Sequence, residues 1–328
     1  MKLCLVGYGS IARSHLQALA GEPVVWGTVM GRDPKATAAF AAEFGFERHT
    51  TDLAEVLSDP TIDAVLITSP SDLHAEQAEQ ALRAGKHALV EIPLATRLSD
   101  VDRLDALARE KDLRLMVCHT QRYYPALVEA RRWIAEGRLH VHHVATRYAF
   151  FRRENVNWAG RRRSWTDNLL WHHGCHAVDT SLWLIGATEV TVQSQVALPS
   201  SPLDIPMDLD ILARTPQDQL ISVSMSYNTK LTYNEYLLIG EETTLLATSD
   251  RLVSTEGVIV ESSDRTGPTA SPIREQDREF LAAIQEHREP ALGAAAVRPA
   301  MRVLQAVQDH YEATRPAGAR HSLTPSGA

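Results

Sequence analysis

The 328-residue chain is 44% hydrophobic and 23% charged, the balance of a folded globular protein, which excludes wholesale disorder. Its length exceeds what one ordinary core spans, so two domains are expected. A net charge of -8 argues against general nucleic-acid binding, which carries a basic footprint, and no apolar run reaches membrane-spanning length.

In chain order, Leu3–Val6 predicts a first strand, Ile11–Ala20 a helix and Val24–Met30 a second strand. Asp33-Pro34 places an N-cap residue and a first-turn proline ahead of a helix that stops near Gly45. Strands follow at Ala64–Thr68, Ala88–Glu91 and Leu115–Cys118, with helices at Leu73–Ala84 and Ser99–Glu110. This alternation predicts a doubly wound parallel sheet, a complete α/β domain over residues 1–120. Beyond it come a helix at Ala126–Glu136, an alternating segment at Val141–Phe151, an aromatic and arginine-rich loop, and a helix at Leu169–Leu184. Five strand-like stretches follow in succession: Val190–Val196, Asp208–Arg214, Leu220–Tyr227, Tyr236–Gly240 and Thr244–Thr248. Strands with few helices between them predict a mostly antiparallel α+β domain over residues 121–328, closed by helices at Gln276–Gln285 and Val297–Thr314. The polar stretch Arg315–Ala328 is expected to fray.

Gly7-Tyr8-Gly9-Ser10-Ile11-Ala12 follows a strand and opens a helix, the context in which G-x-G-x-x-G/A binds a dinucleotide. Gly7 allows the tight turn, Gly9 admits a pyrophosphate, and Ala12 keeps the helix close to the sheet of this Rossmann domain. At the tip of the second strand, where a carboxylate would hold the ribose of NAD, the chain has Gly31-Arg32. A guanidinium there suits a 2′-phosphate, so NADP is the expected cofactor, with Asp33 read as a helix cap. Three scattered cysteines, Cys4, Cys118 and Cys175, fit reduced thiols. Met1-Lys2 leads straight into a strand without a signal-peptide pattern, and a cytoplasmic protein is expected.

The segments Ser69-Pro70, His74-Ala75, Ala84-Gly85-Lys86-His87 and Glu91-Ile92-Pro93-Leu94-Ala95, with the glycine motif, resemble the Gfo/Idh/MocA oxidoreductase family over nearly the whole chain. The resemblance implies a second domain with a large open sheet that serves as a subunit interface, hence a homodimer or homotetramer. It also implies that Ser69, His74, Glu91 and Pro93 lie at the cofactor. Two departures stand out. The family's Glu-Lys-Pro reads Glu91-Ile92-Pro93 here, so the lysine's proton-removing role is vacant, and His172 stands where the family carries Asp, four residues before His176. Phe150-Phe151-Arg152-Arg153, Arg163-Ser164-Trp165-Thr166-Asp167 and Leu170-Trp171-His172-His173 narrow the resemblance further. They are similar to a family member of bacterial protocatechuate 4,5-cleavage that oxidises the cyclic hemiacetal of a carboxylated hydroxymuconic semialdehyde to a pyrone dicarboxylate.

The residues themselves suit that chemistry. His172, His176 and Asp179 recur at helical spacing. An imidazole can take a hydroxyl proton as hydride leaves the same carbon. Either histidine could be the base; His176 is favoured because the resemblance places a histidine there too, and Asp179 could orient an imidazole or cap a polar patch. A metal held by His172, His173 and His176 is the rival reading, disfavoured because no glutamate lies between them and hydride transfer needs no Lewis acid. A covalent route through Cys175 is a further alternative, set against its more ordinary use as a packed small hydrophobe. For a small dicarboxylate substrate the expected contacts are Arg122, Arg152, Arg153, Trp165 and His173, with Arg161, Arg162 and Arg163 in the same cationic cluster. Arg152 and Arg153 are neighbours in an alternating segment, so only one is expected at any one ligand. Other cyclic hydroxyl substrates, such as a sugar or inositol, and a non-catalytic NADP-binding sensor are the alternative functions.

Overall fold

The computed structural model describes residues 1–156, 167–262 and 271–315. The chain divides into two units: residues 1–118 with 271–297, and residues 119–156 and 167–262 with 298–315.

The first unit is built on six parallel strands: β1 Lys2–Val6, β2 Val25–Met30, β3 Arg48–Thr50, β4 Ala64–Ile67, β5 His87–Val90 and β6 Leu115–Val117, in the order β3-β2-β1-β4-β5-β6. Helices α1 Ser10–Ala18, α2 Pro34–Phe44, α3 Leu53–Leu57, α4 His74–Arg83 and α5 Leu98–Glu110 connect them. The central strands read as unbroken apolar runs because both faces of a parallel sheet are covered, and all four residues of β4 are buried. Edge strand β3, Arg48-His49-Thr50, contains no apolar residue, and α3 is only five residues long, so neither has a periodic signal. Asp33 caps α2 by accepting from the Ala36 N–H at 2.8 Å, Pro34 fills the first turn, and left-handed Gly45 ends the helix.

The second unit begins with α6 Pro125–Ala135 and β7 Val141–Ala149. Where one helix was expected from Leu169 to Leu184, a wide π turn over Leu169–Gly174 leads into α7 Cys175–Ile185. Asn168 starts that turn by accepting from the Trp171 N–H, and the buried Trp171 indole donates to Gln308. Then come β8 Thr191–Val196, β9 Asp208–Arg214, β10 Leu220–Ser226, β11 Tyr233–Gly240, β12 Thr244–Thr248, β13 Arg251–Ser254 and β14 Gly257–Glu261. Together with β7 they form an eight-stranded sheet, β14-β13-β12-β11-β7-β10-β9-β8, in which only the β7–β10 pair is parallel. Period-two burial fixes the faces: Leu209, Ile211 and Ala213 point inward on β9 while Asp210, Leu212 and Arg214 are exposed.

Near its end the chain returns to the first unit with α8 Pro272–Gln285, which packs on α1 and holds Glu22 through Arg274 and Arg278. The last element is α9 Ala294–Thr314. No helix among the described residues is long and apolar enough to cross a membrane.

Gly7 is the residue on which the first β–α turn depends. Its φ is +93°, and an added Cβ would lie 2.8 Å from the backbone of Thr68 and Ser69. Strain at such a position costs about 1–3 kcal/mol, and backbone atoms cannot swing aside. Gly7→Ala is therefore expected to lower stability by at least that range, measured by chemical denaturation.

Candidate functional site

The first unit offers a cradle for a dinucleotide. Gly9 precedes α1 in an extended conformation, and a Cβ added to it meets nothing within 4 Å, so space lies open beside the helix start. The first turn, Ser10-Ile11-Ala12-Arg13, has no acidic residue to oppose a phosphate at the positive end of the helix. Ser10 and Ala12 are buried, Ile11 is half-buried, and Arg32 stands exposed just beyond the tip of β2. These residues fit a nicotinamide dinucleotide.

Two neighbouring strand ends carry the remaining residues expected at the cofactor. His74 is buried and bridges both loops: its Nδ1 lies 2.8 Å from the Pro93 carbonyl oxygen and its Nε2 2.9 Å from that of Ser69. It braces the two loops against each other. The Ser69 hydroxyl donates to Gln77. Glu91 is half-buried at the end of β5, where one carboxylate oxygen meets His15 Nε2 at 2.9 Å and the other accepts from the Ile92 N–H at 3.1 Å. Ile92 itself is buried, and its aliphatic side chain can neither accept nor release a proton.

In the second unit the polar centre is Asp179, on α7 and buried to 1% exposure. Arg122, from the short turn after β6, reaches it with two hydrogen bonds of 2.8 and 2.6 Å. His119, the first residue of this unit, places Nδ1 3.2 Å from the same carboxylate. Burial alone would raise the Asp179 pKa, but the charges of His119 and Arg122, the Arg122 hydrogen bonds and nearby His176 hold it below the usual carboxylate range. His176 is half-buried, its ring edge-on to that of His119 with centroids 6.0 Å apart, and Cys175 Sγ lies 3.8 Å from His119 Nε2. Gln121 accepts from Thr180 at 3.0 Å and from the buried Tyr236 hydroxyl, pinning the turn to α7 and β11.

The structure thus brings together Asp179, His176 and Arg122, and adds His119, which the sequence reading used only as a domain boundary. His119 stands 60 residues before Asp179 and shares no motif with it. His172 lies on the π turn, with Nδ1 3.7 Å from an Asp167 oxygen and its ring against that of His173. His173 points at a ring cluster, 5.2 Å from Tyr148, 5.0 Å from Phe150 and 5.5 Å from Tyr227, and hydrogen-bonds the Tyr227 hydroxyl.

Arg152 is buried, donating to the Asp167 carbonyl and the Asn155 side chain at 3.1 Å each, with its guanidinium over Tyr227. Arg153 is half-buried, donating to the Tyr227 carbonyl and Asn228 with its guanidinium over Phe151. Trp165, Arg161, Arg162 and Arg163 lie outside the described residues. Among the described residues, one group could hold a metal ion, His15, Glu91 and Cys118 in the first unit, whose donor atoms lie within 4.8 Å of one another.

Removing one partner of a buried, hydrogen-bonded charge pair costs about 3–5 kcal/mol. Asp179→Asn is expected to fall in that range at neutral pH by chemical denaturation. Its folded pKa is depressed, so the carboxylate's contribution is whole above about pH 4 and is lost as pH falls through the folded value. The stability gap between wild type and variant should therefore close on acidification.

Comparison with known proteins places this geometry. Residues 1–119 match the GFO_IDH_MocA model, described as an oxidoreductase family with an NAD-binding Rossmann fold, and residues 125–265 match that of bacterial oxidoreductases, C-terminal. The 4-carboxy-2-hydroxymuconate-6-semialdehyde dehydrogenase of Sphingobium sp. (strain NBRC 103272 / SYK-6) is 35% identical over 317 residues, covering 95% of this chain and 99% of that protein. Levoglucosan dehydrogenase, solved with NADH and levoglucosan, superposes with a TM-score of 0.82 at 21% identity, covering 95% of this chain and 97% of that one. An oxidoreductase from Agrobacterium radiobacter, solved with NAD+, L-tartaric acid and magnesium, gives 0.85 at 18% identity, covering 96% and 97%. With a glycine cradle on six parallel strands, a second open sheet and an end-to-end relative, the chain belongs to the Gfo/Idh/MocA family of oxidoreductases.

Proposed function

We propose that the chain is an NADP-dependent dehydrogenase that oxidises the cyclic hemiacetal of 4-carboxy-2-hydroxymuconate-6-semialdehyde to 2-pyrone-4,6-dicarboxylate. The observation that carries this substrate is the 35% identity with the Sphingobium dehydrogenase over 95% of the chain. In such an oxidation the hemiacetal carbon loses its hydrogen with the bonding electron pair, its hydroxyl loses a proton, and the remaining C–O bond becomes the lactone carbonyl. A nicotinamide coenzyme, when bound, supplies the hydride acceptor. Gly7, Gly9, Ser10, Ile11 and Ala12 would hold its pyrophosphate, Arg32 a 2′-phosphate, and Ser69, His74, Glu91 and Pro93 would shape the nicotinamide end.

The proton is assigned to an imidazole, since Ile92 offers nothing to receive it. His176 is the proposed base. Asp179 keeps its charge within electrostatic reach of His176, and an anion there stabilises the imidazolium that forms. His172, beside Asp167, is the second imidazole and the proposed orienting group. Arg122, Arg153, His173 and Trp165 are the proposed contacts to the substrate's carboxylates and ring, with Arg152 behind them. We place the enzyme in the cytoplasm, as a homodimer or homotetramer through the eight-stranded sheet, whose β9 and β10 expose Leu212 and Leu220.

One observation favours the second reading, a different cyclic hydroxyl substrate. Arg122 donates twice to Asp179 and Arg152 to the Asp167 carbonyl, so two of the expected anion-binding arginines already have partners within the protein.

The test is coenzyme reduction, followed by absorbance, with enzymatically generated semialdehyde. Wild type should reduce NADP in preference to NAD and release a pyrone dicarboxylate. His176→Ala should lower kcat by about 10²–10⁴. Arg32→Ala should raise the KM for NADP about tenfold, a charge-assisted contact's worth, and leave that for NAD unchanged. Reduction with levoglucosan or an inositol but not with the semialdehyde would move the assignment to the second reading.

A further inference from the structure

The first unit buries a second carboxylate–imidazole system that the proton-transfer reading does not use. His15, on α1, and Asp277, on α8, are both fully buried. His15 Nδ1 lies 2.7 Å from Asp277 Oδ2, and His15 Nε2 lies 2.9 Å from Glu91 Oε1. Gln276 donates to the other Asp277 oxygen at 3.1 Å, and Cys118 completes the surroundings of the ring. Both ring nitrogens therefore face carboxylate oxygens. A carboxylate only accepts, so the three groups hold together when the imidazole donates from both sides. Burial opposes charge on His15, but Asp277, Cys118 and Glu91 outweigh it and raise its pKa well above the ordinary value.

The chain of contacts starts in a helix from near the end of the sequence and finishes at a strand tip. Glu91 is the member that reaches the surface, with 14% of its side chain exposed, against none for His15 and Asp277. Its second oxygen is occupied by the Ile92 N–H, so both oxygens are tethered and the carboxylate has one orientation. His15 sits on the same helix whose first turn forms the pyrophosphate cradle, so a single imidazole ties that helix to the tip of β5.

On the coenzyme-binding reading above, we infer that Asp277 and His15 are positioning residues that aim the Glu91 carboxylate at the nicotinamide half of the coenzyme. Neither touches the coenzyme; both act through Glu91. Glu91 in turn is presented as a fixed acceptor for an N–H donor such as a carboxamide.

The experiment measures the dissociation constant of reduced coenzyme by its fluorescence, on the full chain, for wild type, His15→Gln, Asp277→Asn, Glu91→Gln and the double variant His15→Gln/Glu91→Gln. Thermal midpoints and metal content are recorded alongside. His15→Gln and Glu91→Gln should each weaken binding about tenfold, as loss of supporting hydrogen bonds does elsewhere, and the double variant should bind no worse than the weaker single one. Asp277→Asn, which keeps an acceptor beside Nδ1, should weaken it less; it also preserves the test if His15→Gln does not fold. Wild-type affinity in both His15→Gln and Asp277→Asn, with only the midpoints lowered, would overturn the inference, as would fully additive losses in the double variant. Stoichiometric metal that disappears with His15→Gln would also overturn it. Failure of the wild-type chain to bind either nicotinamide coenzyme is a separate result and contradicts the proposed function itself.

Discussion

Asp179 is buried and its carboxyl is held below the usual range, and the polar interior of the second unit is organised around it. An unpaired buried carboxylate would cost several kcal/mol, so the fold brings cationic and hydrogen-bonding groups to it. Arg122 and His119 arrive from the turn that opens the unit, which fixes that turn against α7. Gln121, between them in sequence, adds the bonds to Thr180 and Tyr236. His176 then stands one helical turn before an anion that cannot move. The first unit also buries a carboxylate, Asp277, against an imidazole, His15, with Glu91 on the ring's other side, although there burial raises the Asp277 pKa. In each case an imidazole lies beside a carboxylate with no exposure to speak of, and a half-buried residue, His176 or Glu91, stands at the edge of the system.

How much of this was legible in the sequence depended on whether the physics was local. Parallel strands announce themselves because both faces are buried, and the central strands β1, β4 and β5 lay within a residue or two of their expected bounds. Gly7 was legible because a positive φ against neighbouring backbone admits few other residues, and Gly9 because it stands at the fixed motif spacing just before the helix start. Arg48–Thr50 was not, since an edge strand needs no apolar side chain. The strands Arg251–Ser254 and Gly257–Glu261 were too short and mixed to stand out. The helix expected over Leu169–Leu184 is present, but its first six residues form a wider π turn that Asn168 opens, a local widening that periodicity does not signal.

The long-range pairs were invisible for a different reason. His15 and Asp277 are 262 residues apart, and nothing near either one signals the other. His119 and Asp179 likewise meet only because the turn after β6 folds back on α7. The arginine cluster is a different case. Adjacent guanidiniums suggested anion binding, yet Arg152 is spent inside the protein on a carbonyl, an amide and a tyrosine ring. Composition reported the charge correctly but could not say which partner would take it.

The proposed function rests on a division of labour suggested by Ile92: with no titratable side chain directly after Glu91, the proton that accompanies hydride loss is assigned to an imidazole on α7. The pH dependence of kcat/KM, compared between wild type and His176→Gln, tests this most directly. Wild type should show an ionisation in the imidazole range, about pH 6–7, with activity rising as the base loses its proton, and the variant should lack that limb. An unchanged limb in a folded, active His176→Gln enzyme would contradict the account and place the base elsewhere.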